Sequence, residues 1–559
     1  MKRTAHPTIE PLESRIAPAV FIVTNLNDSG SGSLRAELAA SDAHGGSNTI
    51  VFHLPAHPLH GENIIALASG ALTTMGNVTI TGPGAGKLIV SGEASSGVFN
   101  ITGQTGLTTI SGLSIVDGSN DDAGGGIYCE QSLTLKNVVI SGNYATSGGG
   151  VDVSGSAGAK VSISNSLISG NGAEIDGGLD LDGGSLTFSN TVVTANRATD
   201  GAGGMFAGID GSGSGIAFTG CRISGNSGPY GGLFLAGDDS AKITISGTTI
   251  SGNISTSTST VGGGGLYFKY GNAAIIHSTI VNNTAVYAGG GIEASTFTSL
   301  TISGSTISGN QTTKLKAAYQ GGGGVFLYGA GNSPVASVKI LSSVITDNHS
   351  AGPGGGVYAV NGANLTISGT TISGNGAASG GGIQTSGMSQ IDAVNLTVIG
   401  GKISDNTGAV GGGGIDAASV YGTISITGAK ISGNFCGGVG GGISAYSTVS
   451  VTIKNVVVSG NIATGSGGGM QISATPVFHV SGGSFTGNES GGSGGGIYAS
   501  DSTGSIIGVT ISGNAATTAG GGVGAAAGTV TIQASKVTGN SAPASADLFF
   551  TDGGAFTYV

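Results

Sequence analysis

The sequence predicts an all-β protein, a single right-handed parallel β-helix of about 17 coils with about 28 residues in each coil. Three observations support this fold. An element like Ile431-Ser432-Gly433-Asn434 recurs along the chain, and a Gly-Gly-apolar step follows nearly every copy. Gly makes up 113 of the 559 residues but shows no three-residue period, so it is not collagen-like. The right-handed winding is adopted by analogy with other solenoids of this coil size.

The Asn that closes the recurring element returns mostly at intervals of 25 to 31 residues, with one interval of 38. Side-chain amides one coil apart can hydrogen-bond in a row, so this column predicts a structural ladder. Its members are Asn143, Asn171, Asn196, Asn226, Asn253, Asn283, Asn310, Asn348, Asn375, Asn406, Asn434, Asn461, Asn488, Asn514 and Asn540.

Within one repeat the apolar residues form short runs, as at 451–453, 456–458 and 470–472. Alternating Val, Ile and Leu broken by Gly, Asn and Ser is typical of short strands joined by tight bends. Gly and Asn accept a positive φ more easily than other residues, so Ser-Gly-Asn and Gly-Gly-Gly mark the corners. Each repeat therefore predicts three strands and three corners.

The composition excludes some classes of protein and favours others. Charged residues are only 8% of the chain, and the net charge is −11 with 18 Lys and Arg, so a nucleic-acid footprint is absent. A surface of Ser, Thr, Gly and Asn favours a secreted or cell-surface protein. Cys129, Cys221 and Cys436 are far apart and show no disulfide or metal spacing, and Cys129 is predicted to fill the core. No apolar run reaches 18 residues, so no membrane span is predicted.

The chain divides into four predicted segments. Residues 1–19 form an export-type or disordered segment, and residues 20–60 form an N-terminal cap. In the cap, Ser33 is predicted to begin a short helix over 34–40, and a strand follows near 48–52. Residues 61–540 form the β-helix, with less regular coils up to about residue 118. Residues 541–559 form a C-terminal cap.

Two short stretches resemble known N-terminal motifs. Residues 12–19, Leu-Glu-Ser-Arg-Ile-Ala-Pro-Ala, resemble the LEPR-XLL motif of large exported repeat proteins, with Ser14 in place of the proline. Residues 32–37, Gly-Ser-Leu-Arg-Ala-Glu, resemble the CSLREA motif in the N-terminal cap of bacterial right-handed β-helix proteins, without its Cys. Both resemblances imply an exported β-helix with a capped first coil.

The repeat array resembles the passenger repeats of chlamydial-type polymorphic outer membrane proteins. Their FxxN motif is matched by Phe485-Thr486-Gly487-Asn488, and by Ile511-Ser512-Gly513-Asn514 with Ile for Phe. Their GGA[ILV] motif is matched by Gly-Gly-Gly-Ile or Gly-Gly-Gly-Val. This resemblance covers about three quarters of the chain, and it implies a β-helix with a surface-exposed, often adhesive role.

The residue after each Gly-Gly-apolar step lies between two inward residues, so it is predicted to point outward. Seven of the fifteen residues in this column are aromatic. We expect an exposed aromatic stripe that binds a glycan or a partner protein, formed by Phe206, Phe234, Tyr267, Phe326 and Tyr358. The alternative is that the rings only stabilise the sheet face, or that a loop covers them. The full column is Tyr128, Asp152, Asp180, Phe206, Phe234, Tyr267, Glu293, Phe326, Tyr358, Gln384, Asp416, Ser444, Gln471, Tyr498 and Gly524.

An acidic cluster precedes the aromatic residues, formed by Glu130, Asp152, Asp180 and Asp182. Three interpretations stay open: a solvated face, a Ca²⁺ site with carboxylate ligands, or a catalytic pair among Asp152, Asp180 and Asp182. A polyuronide lyase would also need a basic residue nearby, for which Arg197 is the candidate. Ca²⁺ is the only cofactor that the sequence indicates.

One corner is longer than the others, at residues 311–320, and it carries Lys314, Lys316 and Tyr319. We expect this loop to overhang the aromatic stripe, so that the two lysines supply charge to an acidic sugar.

Two function classes remain. The first is a non-enzymatic, secreted or surface protein with an adhesin-like or structural role and a polysaccharide or cell-surface partner. The second is a carbohydrate-active enzyme of the pectate-lyase-like type, a polysaccharide lyase or a glycoside hydrolase. Outward threonines such as Thr249, Thr279 and Thr306 raise ice binding as a third, weaker alternative, because Val344 and Lys402 interrupt their column.

Overall fold

The protein is a right-handed parallel β-solenoid of about 19 turns with about 27 residues in each turn, and it contains nearly no helix. The computed structural model describes residues 17–54, 62–103, 105–154, 158–209, 214–259, 261–315, 320–329, 336–387, 389–390, 392–419 and 421–558. The predicted fold is confirmed. The turn count exceeds the expected number partly because the strand Val20–Val23 pairs with Ser47–Phe52, which pairs with the first coil.

Each regular coil contains four strands in three parallel sheets, one strand more than the sequence predicted. In one central coil, Lys242–Ser246 and Thr249–Ser251 both belong to the first sheet, Ile254–Ser255 to the second and Leu266–Lys269 to the third. The first two strands lie in one sheet because only a slight bend at Gly247, with φ of 55°, separates them. We name these sheets I, II and III.

Sheet I contains two strands from most coils. Its 36 strands among the described residues are Val20–Val23, Ser47–Phe52, Asn63–Ala66, Asn77–Thr81, Leu88–Ser91, Leu107–Ser111, Ser114–Val116, Ser132–Lys136, Val139–Ser141, Lys160–Ser164, Leu167–Ser169, Ser185–Ser189, Val192–Thr194, Gly215–Thr219, Arg222–Ser224, Lys242–Ser246, Thr249–Ser251, Asn272–Ile276, Thr279–Val281, Ser299–Ser303, Thr306–Ser308, Ser337–Leu341, Val344–Thr346, Asn364–Ser368, Thr371–Ser373, Leu396–Ile399, Lys402–Ser404, Thr423–Thr427, Lys430–Ser432, Ser450–Ser459, Val477–Thr486, Gly504–Ile507, Thr510–Ser512, Thr529–Gln533, Lys536–Thr538 and Ala555–Tyr558.

Sheet II contains the short strands that follow the ladder position of each coil. Its 15 strands among the described residues are Ser119–Ala123, Tyr144–Ser147, Gly172–Ile175, Arg197–Ala198, Ser227–Gly228, Ile254–Ser255, Thr284–Ala285, Gln311–Thr312, His349–Ser350, Gly376–Ala377, Thr407–Gly408, Phe435–Cys436, Ile462–Ala463, Glu489–Ser490 and Ala515–Ala516.

Sheet III contains the strands that follow the Gly-Gly corners. Its 18 strands among the described residues are Leu72–Thr74, Phe99–Ile101, Ile127–Cys129, Val151–Val153, Leu179–Asp182, Met205–Gly208, Leu233–Ala236, Leu266–Lys269, Ile292–Ser295, Val325–Tyr328, Val357–Val360, Ile383–Gly387, Ile415–Ser419, Ile443–Tyr446, Met470–Ser473, Ile497–Ser500, Val523–Ala526 and Leu548–Thr551.

The predicted asparagine ladder is confirmed, and every member is buried. The Nδ2 of Asn283, for example, donates to Asn310 Oδ1 in the next coil at 2.9 Å and to the Ile250 carbonyl at 3.0 Å. Its own Oδ1 accepts from the backbone N–H and the Nδ2 of Asn253. The ladder runs to Asn540, whose Nδ2 donates to the carboxylate of Asp547 at 2.9 Å.

A second ladder, of hydroxyl groups, lies at the bend within sheet I and was not predicted. The backbone N–H of Cys221 donates to Thr248 Oγ1, the N–H of Thr248 to Ser278 Oγ, and the N–H of Ser278 to Ser305 Oγ. These side chains are small and their sequence spacing follows the Asn column, so no separate period signals them. All three cysteines are free and buried, and Cys129 fills the core as predicted.

The segment before the first coil contains the predicted helix, which extends over Leu34–His44; its role as a cap stays a prediction. Ser33 is its N-cap, because its hydroxyl accepts from the N–H of Ala36. Arg35 holds the helix to the first coil by an ion pair with Asp28 at 2.6 Å and by bonds to two carbonyl groups at 70–71. Residues 12–16 of the LEPR-XLL-like segment lie outside the described residues. Among the described residues, no helix is long and apolar enough to cross a membrane.

Candidate functional site

The column of residues after the Gly-Gly-apolar step runs along the outer face of sheet III in the predicted order. Asp152 pairs with Asp180, Asp180 with Phe206, Phe206 with Phe234, and Phe234 with Tyr267. Thr73 and Asn100 extend the column on its N-terminal side, since Thr73 pairs with Asn100 and Asn100 with Tyr128. The pairing continues in the same way as far as Gly524.

The corners that connect sheets II and III pack over this outer face along the regular coils. The Tyr230 ring, in one of these corners, stacks on Phe234 and Tyr267 with ring centroids 4.6 and 5.3 Å away. Ala288, in the corner two coils further on, is buried together with Phe326, Tyr358 and Val360 in a small apolar cluster outside the main core. The outer face of sheet III is therefore a second packing surface.

The expected aromatic stripe is only partly exposed. Phe206 and Phe234 are half-buried, but Tyr267, Phe326 and Tyr358 keep only 3, 3 and 2% of their surface exposed. The prediction of an exposed stripe is wrong for these last three rings, because the corners between sheets II and III cover them. A role of these rings in ligand binding stays a prediction.

The long corner after Asn310 is described only in part. Lys314 is exposed, and its backbone N–H donates to the carbonyl of Val286 at 2.8 Å. Lys316 and Tyr319 lie outside the described residues, so the predicted lysine pair over the aromatic rings stays a prediction.

The acidic cluster divides into a buried part and an exposed part. Asp152 and Asp180 are neighbours across the sheet and keep only 3 and 8% of their surface exposed. The interpretation of these two carboxyl groups as a solvated face is therefore wrong. Asp182 is exposed at the end of its strand, and the half-buried Glu130 accepts a hydrogen bond from the Tyr128 hydroxyl at 3.1 Å.

Burial controls the protonation of the inner carboxyl groups. Removal from water raises the pKa of Asp180 to about 7, opposed by the Ser147 hydroxyl and reinforced by Asp152 and Asp182. Burial also raises the pKa of Asp152, opposed by the hydroxyls of Ser154 and Ser147. One oxygen of each carboxyl, Oδ1, is buried without a hydrogen-bond partner among the described residues. The Asp180 carboxyl can therefore hold a proton near neutral pH.

The structure does not assemble a metal site from the predicted ligands. Among the described residues, no group of three or more His, Cys, Asp or Glu side chains is placed to hold a metal ion. Binding of Ca²⁺ by Glu130, Asp152, Asp180 and Asp182 stays a prediction. Arg197, the candidate basic partner, is exposed on a strand of sheet II.

Two further buried carboxyl groups lie in the same column and were not singled out from the sequence. Glu293 is 1% exposed, and its Oε2 accepts from the N–H of Gly262 at 2.8 Å. Burial raises the pKa of Glu293 to about 8, and burial also raises the pKa of Asp416. The sequence shows that both side chains lie between two inward residues. This position predicted that they face solvent, and it did not indicate that they are buried.

An open groove lies at the N-terminal end of the same face. It has a volume of about 720 Å³. Among the described residues sheet II begins at Ser119–Ala123, so the strands Leu72–Thr74 and Phe99–Ile101 have no described sheet II corner above them. The groove is lined by Ala71, Ala94, Ser95, Ser96, Gly97, Phe99, Asn100, Thr102, Ser119, Asn120, Asp121, Asp122, Ala123 and Tyr128.

Tyr128 places the groove next to the buried carboxyl groups of Asp152 and Asp180. Tyr128 lines the groove and is the neighbour of Asp152 across sheet III. The pKa of the Tyr128 hydroxyl is raised mainly by burial, and also by Glu130 and Asp152. No sequence signal indicates the groove, because the coils before residue 118 lack the regular motif from which the other corners were recognised.

Comparison with known proteins supports the fold. Residues 63–250 match the family model described as right handed beta helix region. No curated protein sequence matches the chain.

Among solved structures, pectate lyase Pel9A matches 59% of this chain and 77% of its own, at 16% identity and a TM-score of 0.30. The catalytic unit of a GH87 α-1,3-glucanase from Streptomyces thermodiastaticus matches 96% of this chain and 68% of its own, at 13% identity and a TM-score of 0.27. PfbA, a surface adhesin of Streptococcus pneumoniae, matches 94% and 88% at 10% identity and a TM-score of 0.14. Similarity at this level carries no argument about what this chain does.

Proposed function

We propose that this protein is an extracellular, adhesin-like β-solenoid that binds carbohydrate in the groove at the N-terminal end of sheet III. The volume and the lining of the groove are the observations that support this proposal. The groove has a volume of about 720 Å³, which lies within the range of small-molecule sites. Its lining combines hydroxyl, amide and carboxylate groups with one half-buried aromatic ring, that of Tyr128. Sugars offer the complementary combination of hydroxyl groups and apolar ring faces.

A location outside the cell is consistent with the composition and the repeats. Charged residues are 8% of the chain, and the solvent-facing positions are mainly Ser, Thr, Gly and Asn. The resemblance to polymorphic outer membrane protein passengers and to the CSLREA-type cap supports the same location.

The first experiment measures binding of the protein to a panel of oligosaccharides by calorimetry. We expect binding to at least one sugar class, and we expect Tyr128→Ala to weaken it on the order of tenfold, because the ring forms the groove wall next to the buried carboxyl pair. Tyr498→Ala is the matched control, since Tyr498 is a half-buried tyrosine at the equivalent position of a distant coil. Absence of binding to every sugar, or equal affinity of the Tyr128→Ala variant, would contradict the proposal.

A second candidate function, a carbohydrate-active enzyme, is favoured by one observation. Asp152 and Asp180 are adjacent, buried and close to the groove wall, and the pKa of Asp180 is raised to about 7, mainly by burial. One protonated and one ionised carboxyl are what general acid catalysis of glycoside cleavage needs.

The two candidates are separated by assaying the same oligosaccharides for new reducing or unsaturated ends. Release that is lost in Asp180→Asn favours the enzyme. Binding without release, unchanged in Asp180→Asn, favours the adhesin-like function.

A further inference from the structure

Most hydrogen-bonding groups that line the groove are acceptors. The hydroxyls of Ser95 and Ser96 donate their protons to the carbonyl groups of Gly92 and Gly97, at 3.1 and 3.0 Å. These two side chains therefore keep only oxygen lone pairs for a ligand.

Of the two amide side chains of the groove, Asn120 makes its hydrogen bonds within its own segment and keeps one N–H. Asn120 donates its Nδ2 to the Ala123 carbonyl at 2.5 Å, and its Oδ1 accepts from the N–H of Asp122 at 3.1 Å. Asn100 Oδ1 is buried and has no hydrogen-bond partner among the described residues. A buried acceptor without a donor costs free energy, and the exposed acceptors of the groove are the carboxylates of Asp121 and Asp122.

The charges around the groove have one sign. Asp121 and Asp122 line it and are exposed, and the described lining residues include no Lys, Arg or His. The negative charge reaches beyond the wall, because Asp122 adds to the effect of burial and of Asp182 in raising the pKa of Asp152. A uronic acid would therefore be repelled from this groove, and a cationic group would be attracted.

We propose that the groove selects an oligosaccharide that carries free amino groups, such as a chain of β-1,4-linked glucosamine. This inference rests on the proposed function, and it names the class of sugar. An ammonium group presents three donors and one positive charge, which matches the exposed carboxylates of Asp121 and Asp122. The half-buried Tyr128 ring adds an aromatic face on which an ammonium group is stabilised.

The test measures the binding of three hexasaccharides by calorimetry at low and physiological salt. The three are β-1,4-linked glucosamine, its N-acetylated counterpart and oligogalacturonate. We expect the free amine to bind on the order of tenfold more tightly than the N-acetylated sugar, and oligogalacturonate not to bind. We also expect the preference for the amine to decrease as salt rises, because the rim carboxylates are exposed.

The variant that tests the inference is the double change Asp121→Asn and Asp122→Asn. It should reduce the affinity for the free amine to that for the N-acetylated sugar and leave the latter unchanged. The control is Asp501→Asn with Asp552→Asn, two exposed aspartates near the other end of the solenoid, which removes the same charge. It separates groove recognition from general attraction of a polycation to an acidic protein.

Each outcome has a distinct meaning. Equal or tighter binding of the N-acetylated sugar or the uronate, an unchanged Asp121 and Asp122 variant, or an equal loss in the control overturns the choice of amino sugar. The carbohydrate-binding function then stands. If none of the three sugars binds, and no member of the wider panel binds, the proposed function itself fails.

Discussion

The outer face of sheet III is open over its first three strands and covered along its middle. Thr73 is exposed and Asn100 and Tyr128 are half-buried, whereas every column residue from Tyr267 to Ser444 is buried. The two regions have the same strand pairing and the same alternation of inward and outward residues. The difference comes from the chain that precedes each strand. Among the described residues, the first two strands have no sheet II strand before them, and the third, which carries Tyr128, follows the first strand of sheet II and lies at the boundary.

The cover begins where the asparagine ladder begins. Gly118 donates its N–H to Asn143 Oδ1 at 2.8 Å, and from Asn143 onward each coil contributes an Asn. The ladder side chain fixes the bend into sheet II, and the chain then returns across the outer face of sheet III. The asparagine ladder therefore has two effects. It holds neighbouring coils together, and it sets where the chain begins to cover the outer face of sheet III.

Removal of a covered aromatic ring should cause the largest loss of stability. We expect Phe326→Ala and Tyr358→Ala each to destabilise the central coils by roughly 3–5 kcal/mol, because both rings are buried in an apolar cluster. Hydrogen exchange of the central coils and the denaturation midpoint measure the effect. Tyr446→Ala is the control, since Tyr446 is 56% exposed. If the hydrogen exchange of the central coils were the same in the variants as in the wild type, the corners over these two rings would be loosely packed.

A pH series tests whether Glu293 is as enclosed as the structure indicates. Its pKa is raised from 4.5 to about 8 in the fold by burial, so the folded state holds a proton that the unfolded state loses. Stability should therefore fall by about 1.4 kcal/mol per pH unit as pH rises from about 4.5 to about 8, and this penalty is absent below that window.

The measurement is the denaturation midpoint of the wild type minus that of Glu293→Gln across this range. Gln keeps an acceptor for the Gly262 N–H and has no proton to lose. Glu489→Gln, at an exposed position of sheet II, is the control. A difference that does not vary with pH would mean that water reaches Glu293.

Adjacent asparagines test the ladder. The side chain of Asn283 makes four hydrogen bonds in a buried position, so Asn283→Ala should cost about 2–4 kcal/mol. Asn282 is exposed with φ of 56°, and Asn282→Gly should have little effect. Chemical denaturation compares the two variants, and equal midpoints would refute the structural role of the ladder.

The hydroxyl ladder should have the smallest effect. Thr248→Val removes one acceptor from the N–H of Cys221, at 3.3 Å, and should cost about 1 kcal/mol. The neighbouring Thr249 faces outward, so Thr249→Val should leave the midpoint unchanged. A cost as large as that of Asn283→Ala would mean that both ladders contribute equally to coil stacking.

The sequence was sufficient for the fold because period and corner residues are local signals. The repeat of Asn143 to Asn540 and the Gly-Gly steps predicted the parallel stacking and the order of the column, and the helix after Ser33 was predicted from its cap. The extent of that helix, to His44, was not, since its last turn depends on contacts with the first coil such as that of Asp42 with Thr74.

The site was less predictable, because accessibility depends on how corners pack. Tyr267 and Tyr128 occupy equivalent positions in the repeat, yet only Tyr267 lies under a neighbouring corner, where it stacks against Tyr230. Strand alternation distinguishes inward from outward residues but not a covered outer face from an open one. The groove was missed for the same reason, since it forms at the boundary between the first two strands of sheet III, which have no described sheet II corner, and the first strand of sheet II.

The asparagine ladder also has an electrical direction. Each amide in it donates toward the C-terminal neighbour and accepts from the N-terminal one, from Asn143 to Asn540. The side-chain dipoles are therefore aligned and add, as peptide dipoles do along a helix, with the positive end near Asn540. Asp547 meets that end with its side-chain oxygen Oδ1, which accepts from Asn540. The solenoid is thus polar along its axis, and the aspartate both neutralises and terminates the column.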